Sequence, residues 1–484
     1  MMAVSCRRAA GFLLWIIFIV LPVCPLLAQK TTLYSLAGLV DSASRHLPLL
    51  LEKQAFVESA KAGITEARHA YLPKLNVVEE LSVGSANDVA GPFLPVPGVL
   101  HSIAGSIAGA PNYEAVTGNL ASLYGEYELV NFGLRGAKVN SAVAFAGVQQ
   151  ADLEKERYLV KWQIARIYFG ILRNRYQLAV DSVDIGRYQA MYSVSRALTS
   201  TGVNAGVDSS LAKAGLSRTR INFNQATGNL HRLQLQLAYL TGVENVEIAM
   251  DTSWRGGLMN GTGGGPVGGV NGGVVGGMNG GLPGDPAAFN PLADYYEKQR
   301  LRYSAEEELA RKSYLPKIML GAGGWARGSS IQYNNVYKSA GEGLGYQRLN
   351  YLAGVGVTYD LFNGTHRRDR LAVINGQVKA ADYALQQQQL ELHNQEIQAD
   401  ESIRIAQQNL AELPVQMQAA TDAYNQKLAQ YKAGIINLVD LSNASFELFQ
   451  AQSTYIETLN DWYVASLDKA ATTGKLDQFI QSVK

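Results

Sequence analysis

Apolar residues recur at helical spacing over two unusually long stretches of the chain, 135–200 and 367–433. The first contains no proline. The second contains one, Pro414, and since the pattern resumes at once this reads as a kink rather than a stop. Each stretch ends at a glycine and is followed by a returning helix, over 208–240 and 441–471. The two turns match: Gly202-Val203-Asn204-Ala205-Gly206-Val207-Asp208 and Gly434-Ile435-Ile436-Asn437-Leu438-Val439-Asp440 share one Gly-to-Asp spacing. The leading glycines suit a helix C-terminus, and Asp208 and Asp440 suit the N-cap of the returning helix. Two long helical hairpins with equivalent tips are therefore expected.

A different period precedes each hairpin. Leu75, Val77, Leu81 and Val83 alternate with Asn76, Glu80 and Ser82, with one misfit pair, Val78 and Glu79. Leu123, Tyr127 and Leu129 alternate with Ser122, Tyr124, Glu126 and Glu128. In the second half Ile318, Leu320 and Ala322 repeat this. So do Ala353, Val355, Val357, Tyr359 and Leu361 against Gly354, Gly356, Thr358 and Asp360. The pattern predicts strand pairs at 75–84 with 121–131 and at 317–326 with 351–361. Long loops, 85–119 and 327–348, join the strands of each pair. A helix leads into each pair: one over 35–70, capped by Ser35 and broken by Pro48, and its counterpart at Pro291.

These equivalences describe an internal duplication. Pro48 precedes Tyr71-Leu72-Pro73-Lys74 as Pro291 precedes Tyr314-Leu315-Pro316-Lys317. Asn131-Phe132-Gly133 is echoed by Phe362-Asn363-Gly364. The first repeat spans 29–242, with its hairpin at 135–240; the second spans 285–474, with its hairpin at 367–471. Between them lies a glycine-rich linker, 243–284, whose 256–284 part is of low complexity and reads as a flexible insertion. A tail, 475–484, follows.

Composition narrows the setting. Arg7 and Arg8 before an apolar run at 11–21, with Ala28 beyond, form a signal peptide at 1–28. Two alternatives stand there: a retained membrane span, for which the run is too short and wrongly flanked, and a lipoprotein signal at Cys24, against which stands the bulky Val23. Both cysteines, Cys6 and Cys24, fall in this segment. The exported chain thus has no thiol chemistry. Lys and Arg number 42 against 41 Asp and Glu, a balance that argues against nucleic acid. No later run is long and apolar enough for a membrane helix, so a membrane span here must be a β-barrel. Four strands cannot close a barrel and leave lipid-facing edges. Three copies would supply twelve strands, with polar and glycine positions toward a water-filled lumen. Tyr71, Phe132, Tyr314 and Phe362 stand at the helix-proximal strand ends, where interfacial aromatics are expected.

With these motifs the chain resembles the TolC family of outer-membrane efflux proteins. The Leu-Pro-Lys strand starts, the Asn-Phe-Gly-type strand exits, and Tyr431, Ala433, Gly434, Val439 and Asp440 around the second tip carry the resemblance. It implies a mixed α/β membrane protein: a homotrimer whose twelve-stranded barrel continues into a periplasmic α-helical barrel. It also implies a tripartite efflux or secretion system. A periplasmic adaptor (membrane fusion) protein would dock at Gly202, Val203, Gly434 and Ile435. An inner-membrane transporter of RND, ABC or MFS type would stand behind it, with outer-membrane lipid around the barrel. Asp208, Asp440 and Asn443 would lie at the pore constriction. The family's basic residue after the tip glycine is replaced here by Ile436, and its second acidic residue by Asn443, so the family's tip lock is altered.

Other function classes find little support. The histidines His46, His69, His101, His231, His366 and His393 are scattered, and no nucleophile elbow, metal set or phosphate loop is present. No cofactor, metal or catalytic residue is expected. A structural or adhesive trimeric coiled coil on the cell surface is the remaining alternative, since it accounts for the helices though not for the strand pairs between them. Drugs, metal ions or a secreted polypeptide are all open as cargo.

Overall fold

The computed structural model describes residues 33–86, 110–200, 206–244, 247–248, 289–332 and 336–483. The signal segment, the glycine linker 256–284 and the turn residues Gly202 and Val203 lie outside these. After a two-residue strand, β1 (Leu33–Tyr34), helix α1 (Leu36–His46) is capped by Ser35, whose Oγ accepts from the Gly38 N–H at 3.3 Å. Pro48 starts α2 (Pro48–His69), since its fixed φ suits a first helical residue and its missing N–H costs nothing there. Strands β2 (Lys74–Gly84) and β3 (Val116–Val130) lead to α3 (Leu134–Ser200) and its return α4 (Gly206–Thr241). β4 (Glu247–Ile248) pairs in parallel with β1.

The second repeat opens with Asn290, whose Oδ1 caps α5 (Pro291–Ser313) through the Leu292 N–H at 2.9 Å. Strand β5 (Lys317–Ser329), a small hairpin of β6 (Ile331–Gln332) and β7 (Val336–Tyr337), a 3-10 turn (Glu342–Leu344) and β8 (Arg348–Thr358) follow. Then come α6 (Asn363–Lys432), its return α7 (Leu438–Thr472) and a short α8 (Leu476–Ser482).

Several boundaries differ from the sequence reading. β3 begins at Val116 rather than 121, because the non-alternating residues 116–119 still pair with β2. β5 runs on to Ser329. β8 spans 348–358 rather than 351–361, so Tyr359 and Leu361 are outside it. Asp360 ends that strand: its Oδ1 accepts from the Phe362 N–H at 2.8 Å and its backbone O from the Asn363 N–H at 3.1 Å, turning the chain into α6. The 475–484 tail contains α8, whose Phe479 and Ile480 are buried. Pro414 lies inside a continuous α6.

The four long strands form one antiparallel sheet in the order β2-β3-β5-β8, so the repeats join edge to edge through β3 and β5. The register sorts the side chains. One face carries Leu75, Val77, Leu123, Tyr127, Leu320, Tyr351, Val355 and Val357; the other carries Asn76, Ser122, Tyr124, Glu126, Gly321, Gly323, Arg327 and Asn350. The apolar face is bare: Val77 is 79 % and Tyr351 90 % exposed. Each such side chain left in water forgoes about 2 kcal/mol of burial, so a band this size requires a covering medium. The misfit at Val78 and Glu79 is real, since alternation stays strict. Glu79 falls on the apolar face, where the Tyr346 hydroxyl bonds its carboxylate at 2.9 Å.

The helices lie side by side in the order α4-α3-α7-α6 toward the tips, and α2-α3-α5-α6 toward the sheet. Thus α3 and α6 run the whole shaft, at roughly 100 Å each, while shorter helices stack end to end beside them. Asn290 Nδ2 donates to the last carbonyls of α7, Ala471 at 3.1 Å and Thr472 at 2.9 Å, fixing one junction. Ser42 Oγ donates to Thr241 O at 2.9 Å and fixes the other. The main core sits at these junctions, where Phe169 stacks on Tyr463 at 5.1 Å and meets Phe479 at 6.1 Å.

Candidate functional site

The second tip is made by its caps. After α6 ends, Gly434 takes φ +73°, a left-handed conformation cheap only for glycine. That turn lets the Ile435 N–H reach Gln430 O at 2.9 Å and the Gly434 N–H reach Tyr431 O at 3.0 Å, satisfying two carbonyls of the last turn. Asn437 is then the N-cap of α7, and its Oδ1 accepts from the Asp440 N–H at 3.0 Å. Asp440 is therefore not the cap expected from sequence. It is the third residue of the helix, inside the positive end of its dipole. Asp208 likewise lies inside α4, after Gly206 and Val207, so that assignment is corrected too. The signal was present in the sequence: an asparagine three residues ahead of an acid is the spacing of a capping box.

Around the turn, Tyr431, Leu438 and Leu441 pack with Tyr188, Met191, Ala212 and Leu216 into a second, smaller core that holds the two hairpins together. Asp440 and Asp208 are half-buried and Asn443 is exposed. Asp440 and Asn443, three residues apart, share one side of α7, away from the packed side of Leu438, Leu441 and Ser445. Ile435 is 72 % exposed. At the other end of the shaft, Phe132 is exposed and has φ +48°, and Phe362 is exposed where α6 begins. Tyr314 caps the end of α5 with its carbonyl receiving Asn363 Nδ2 at 3.1 Å, and Tyr71 is half-buried with the Lys138 ammonium 5.7 Å from its ring centre.

Sequence reading missed a polar joint between the hairpins. Asp181, Asp184 and Arg187 are buried on α3 at 2 %, 4 % and 9 % exposure. Arg187 Nη2 donates to Gln452 Oε1 on α7 at 3.0 Å, and Gln177 Nε2 donates to Ser453 Oγ at 3.1 Å and Asp181 Oδ1 at 2.9 Å. The Tyr188 and Ser442 hydroxyls pair at 3.1 Å. Asp184 Oδ1 lies 3.4 Å from Arg187 Nε, an ion pair with no hydrogen bond within it. Burial pushes the Asp184 carboxyl up to about 6, against the pull of Arg187 and Arg218 and with a small push from Asp181. Burial likewise lowers Arg187. The only sequence hint was charge at three-residue spacing on an apolar stripe, which also describes an exposed helix edge.

The family model for outer membrane efflux proteins matches residues 39–243 and 296–474. No curated protein matches the sequence. Among solved structures, the outer membrane protein VceC of Vibrio cholerae superposes with a TM-score of 0.69 at 14 % identity, covering 91 % of this chain and 96 % of that one. The CmeC outer membrane channel of Campylobacter jejuni gives 0.67 at 13 % identity, over 93 % and 90 %. The open-state MtrE outer membrane channel of Neisseria gonorrhoeae gives 0.65 at 16 % identity, over 91 % and 89 %. Likeness at this identity establishes the fold.

Proposed function

The chain belongs to the outer membrane efflux protein family, and from that premise we propose that three copies close into one tunnel serving a tripartite export system. The observation that carries this is a set of unmet surfaces. α6 buries Leu392, Ala399, Ala406 and Leu413, seven residues apart, within the chain. On its other side Tyr383, Leu390 and Ile397 repeat the same seven-residue step and are exposed. α4, at the opposite end of the helix row, exposes Val207, Ile221 and Leu235 at multiples of seven. Apolar seams at both ends of the row suit head-to-tail closure: α4 of one copy against the tip half of α6 in the next, and α2, which exposes Leu49, Leu51 and Phe56, against the sheet-side half of α6 that carries Tyr383 and Leu390. The sheet has the same form, with β2 and β8 as open edges.

In that tunnel the apolar sheet face meets outer-membrane lipid, with Tyr71, Phe132, Tyr314 and Phe362 near its periplasmic border. Gly202, Val203, Gly434 and Ile435 form the surface for a periplasmic adaptor, behind which an inner-membrane pump of RND, ABC or MFS type selects the cargo. Asp208, Asp440 and Asn443 ring the narrow end, where clustered carboxylates favour cations. The mature protein in detergent should be a trimer by native mass spectrometry and should form pores in planar bilayers. Asp440→Asn should lower cation preference, and Asp208→Asn should do so more weakly. A monomer with intact strand content would end this reading.

A further inference from the structure

The polar face of the sheet holds a depression of about 310 Å3 that a bare channel wall does not need. Its floor is glycine. A Cβ on Gly323 would come within 3.0 Å of Tyr124 Cδ2, and one on Gly321 within 3.0 Å of Tyr124 Oη, so the Tyr124 ring lies flat across both. Beside it on β5, Trp325 and then Arg327 follow Gly323 at two-residue steps on the same face. Leu352, cross-strand from Gly323, bounds the other side.

Arg327 is exposed, and among the described residues it forms no ion pair. Its cross-strand partner is Arg348, and like charges placed opposite each other are destabilising. On β2 the acid in the same row is Glu80, two strands away and so about 10 Å off at ordinary strand spacing. Arg348 sits on the edge strand, open to groups of a neighbouring copy. Arg327 is flanked on both sides by strands of its own chain, so closing the barrel leaves it uncompensated. Along a strand two residues advance about 7 Å, which puts a guanidinium one small-ring length from an indole.

Resting on the barrel reading, we infer that each chain carries an exit-side subsite for planar aromatic anions. The ring would lie against Trp325 and Tyr124, with its carboxylate or sulfonate on Arg327. At the small end of ligand cavities and open to the lumen, it would be a weak transit site met before release. It lies at the opposite end of the tunnel from the acidic tip, and it selects for the opposite charge.

Single-channel recording with 2-naphthoate tests this. Wild-type pores should show concentration-dependent flicker block, stronger when the probe is added on the barrel side, and neutral 2-naphthalenemethanol should block far less. Arg327→Gln should raise the apparent blocking constant about tenfold, the scale of one charge-assisted hydrogen bond. Trp325→Leu should raise it severalfold for naphthoate while leaving block by acetate, which lacks a ring, unchanged. Equal block by the neutral analogue, or block indifferent to Arg327→Gln in pores of normal conductance, would overturn the subsite and leave the barrel standing. Absence of any pore would instead overturn both.

Discussion

The two long helices occupy equivalent places in the two repeats and have almost the same length, 67 residues for α3 and 70 for α6. Yet α3 buries residues on every turn through its middle, from Ile164 to Tyr176, whereas α6 buries a single stripe. The cause is position in the row. α3 has α4 or α2 on one side and α7 or α5 on the other, while α6 stands at the edge. Duplicated sequences have thus diverged into a keystone and a seam. The sparse burial of α6 is not looseness, because its outer apolar residues keep the seven-residue step of a packed helix.

Matched substitutions separate these roles most sharply. Leu172→Asp places an unpaired charge in the α3 core, where the leucine is 3 % exposed. It should cost about 4 kcal/mol or more and abolish folding. The pair Leu390→Asp with Ile397→Asp puts charges on the outer stripe of α6, where both side chains are more than half exposed. Helix content by circular dichroism should survive and the trimer should be lost. A stable trimer in the α6 pair would remove that seam from the assembly.

Next in size is the tip. Gly434→Leu forces a branched side chain into φ +73°, costing about 1–2 kcal/mol locally and covering the bare turn. Export of efflux substrates should fall to the level of a deletion while the purified trimer persists. Unimpaired export would show that the adaptor does not need this backbone.

The joint between α3 and α7 gives a pH signature. The folded pKa of Asp184, near 6, lies above the ordinary 3.8, so the folded chain holds the proton more tightly than the unfolded one. The associated stability is full below about pH 4 and is lost as pH rises through 6. Two pKa units correspond to roughly 3 kcal/mol. Relative to Asp184→Asn, the wild-type melting temperature should therefore decline between pH 4 and 7. Parallel curves for the two proteins would mean that Asp184 stays ionised throughout.

What could be read in advance followed from period. Helix spacing sustained over 66 residues from 135 to 200, and alternation on both sides of a glycine-rich loop, gave the hairpins and strand pairs because each reports one buried or one bare apolar side. Elements without a period were not legible. β1 and β4 are two residues each and pair only across the fold. The 116–119 part of β3 is held by register and by the fold-back of Ser330, whose N–H donates to Thr117 O at 2.9 Å. At the tips the type of residue was legible and the role was not. An acid near a helix start satisfies either the N-cap or the first turn, and only backbone geometry separates them.

That distinction leads to the smallest effect, which compares the two tips directly. At the offset that relates Asp208 to Asp440, the counterpart of Asn437 is Ala205. Alanine has no side-chain acceptor, so whatever holds the start of α4 is not this cap. Asn437→Ala should cost about 1 kcal/mol, concentrated in the first turn of α7, where the Asp440 N–H loses its 3.0 Å acceptor. Ala205→Asn should give the first tip a comparable gain. Hydrogen exchange at the two helix starts reads both changes: Asp440 should exchange several times faster in the first variant, and Asp208 several times slower in the second. If Asn437→Ala leaves Asp440 protected, the Asp440 carboxylate is closing its own helix. It would then be tied to the backbone rather than free to face the pore, and Asp440→Asn would act on stability instead of ion preference.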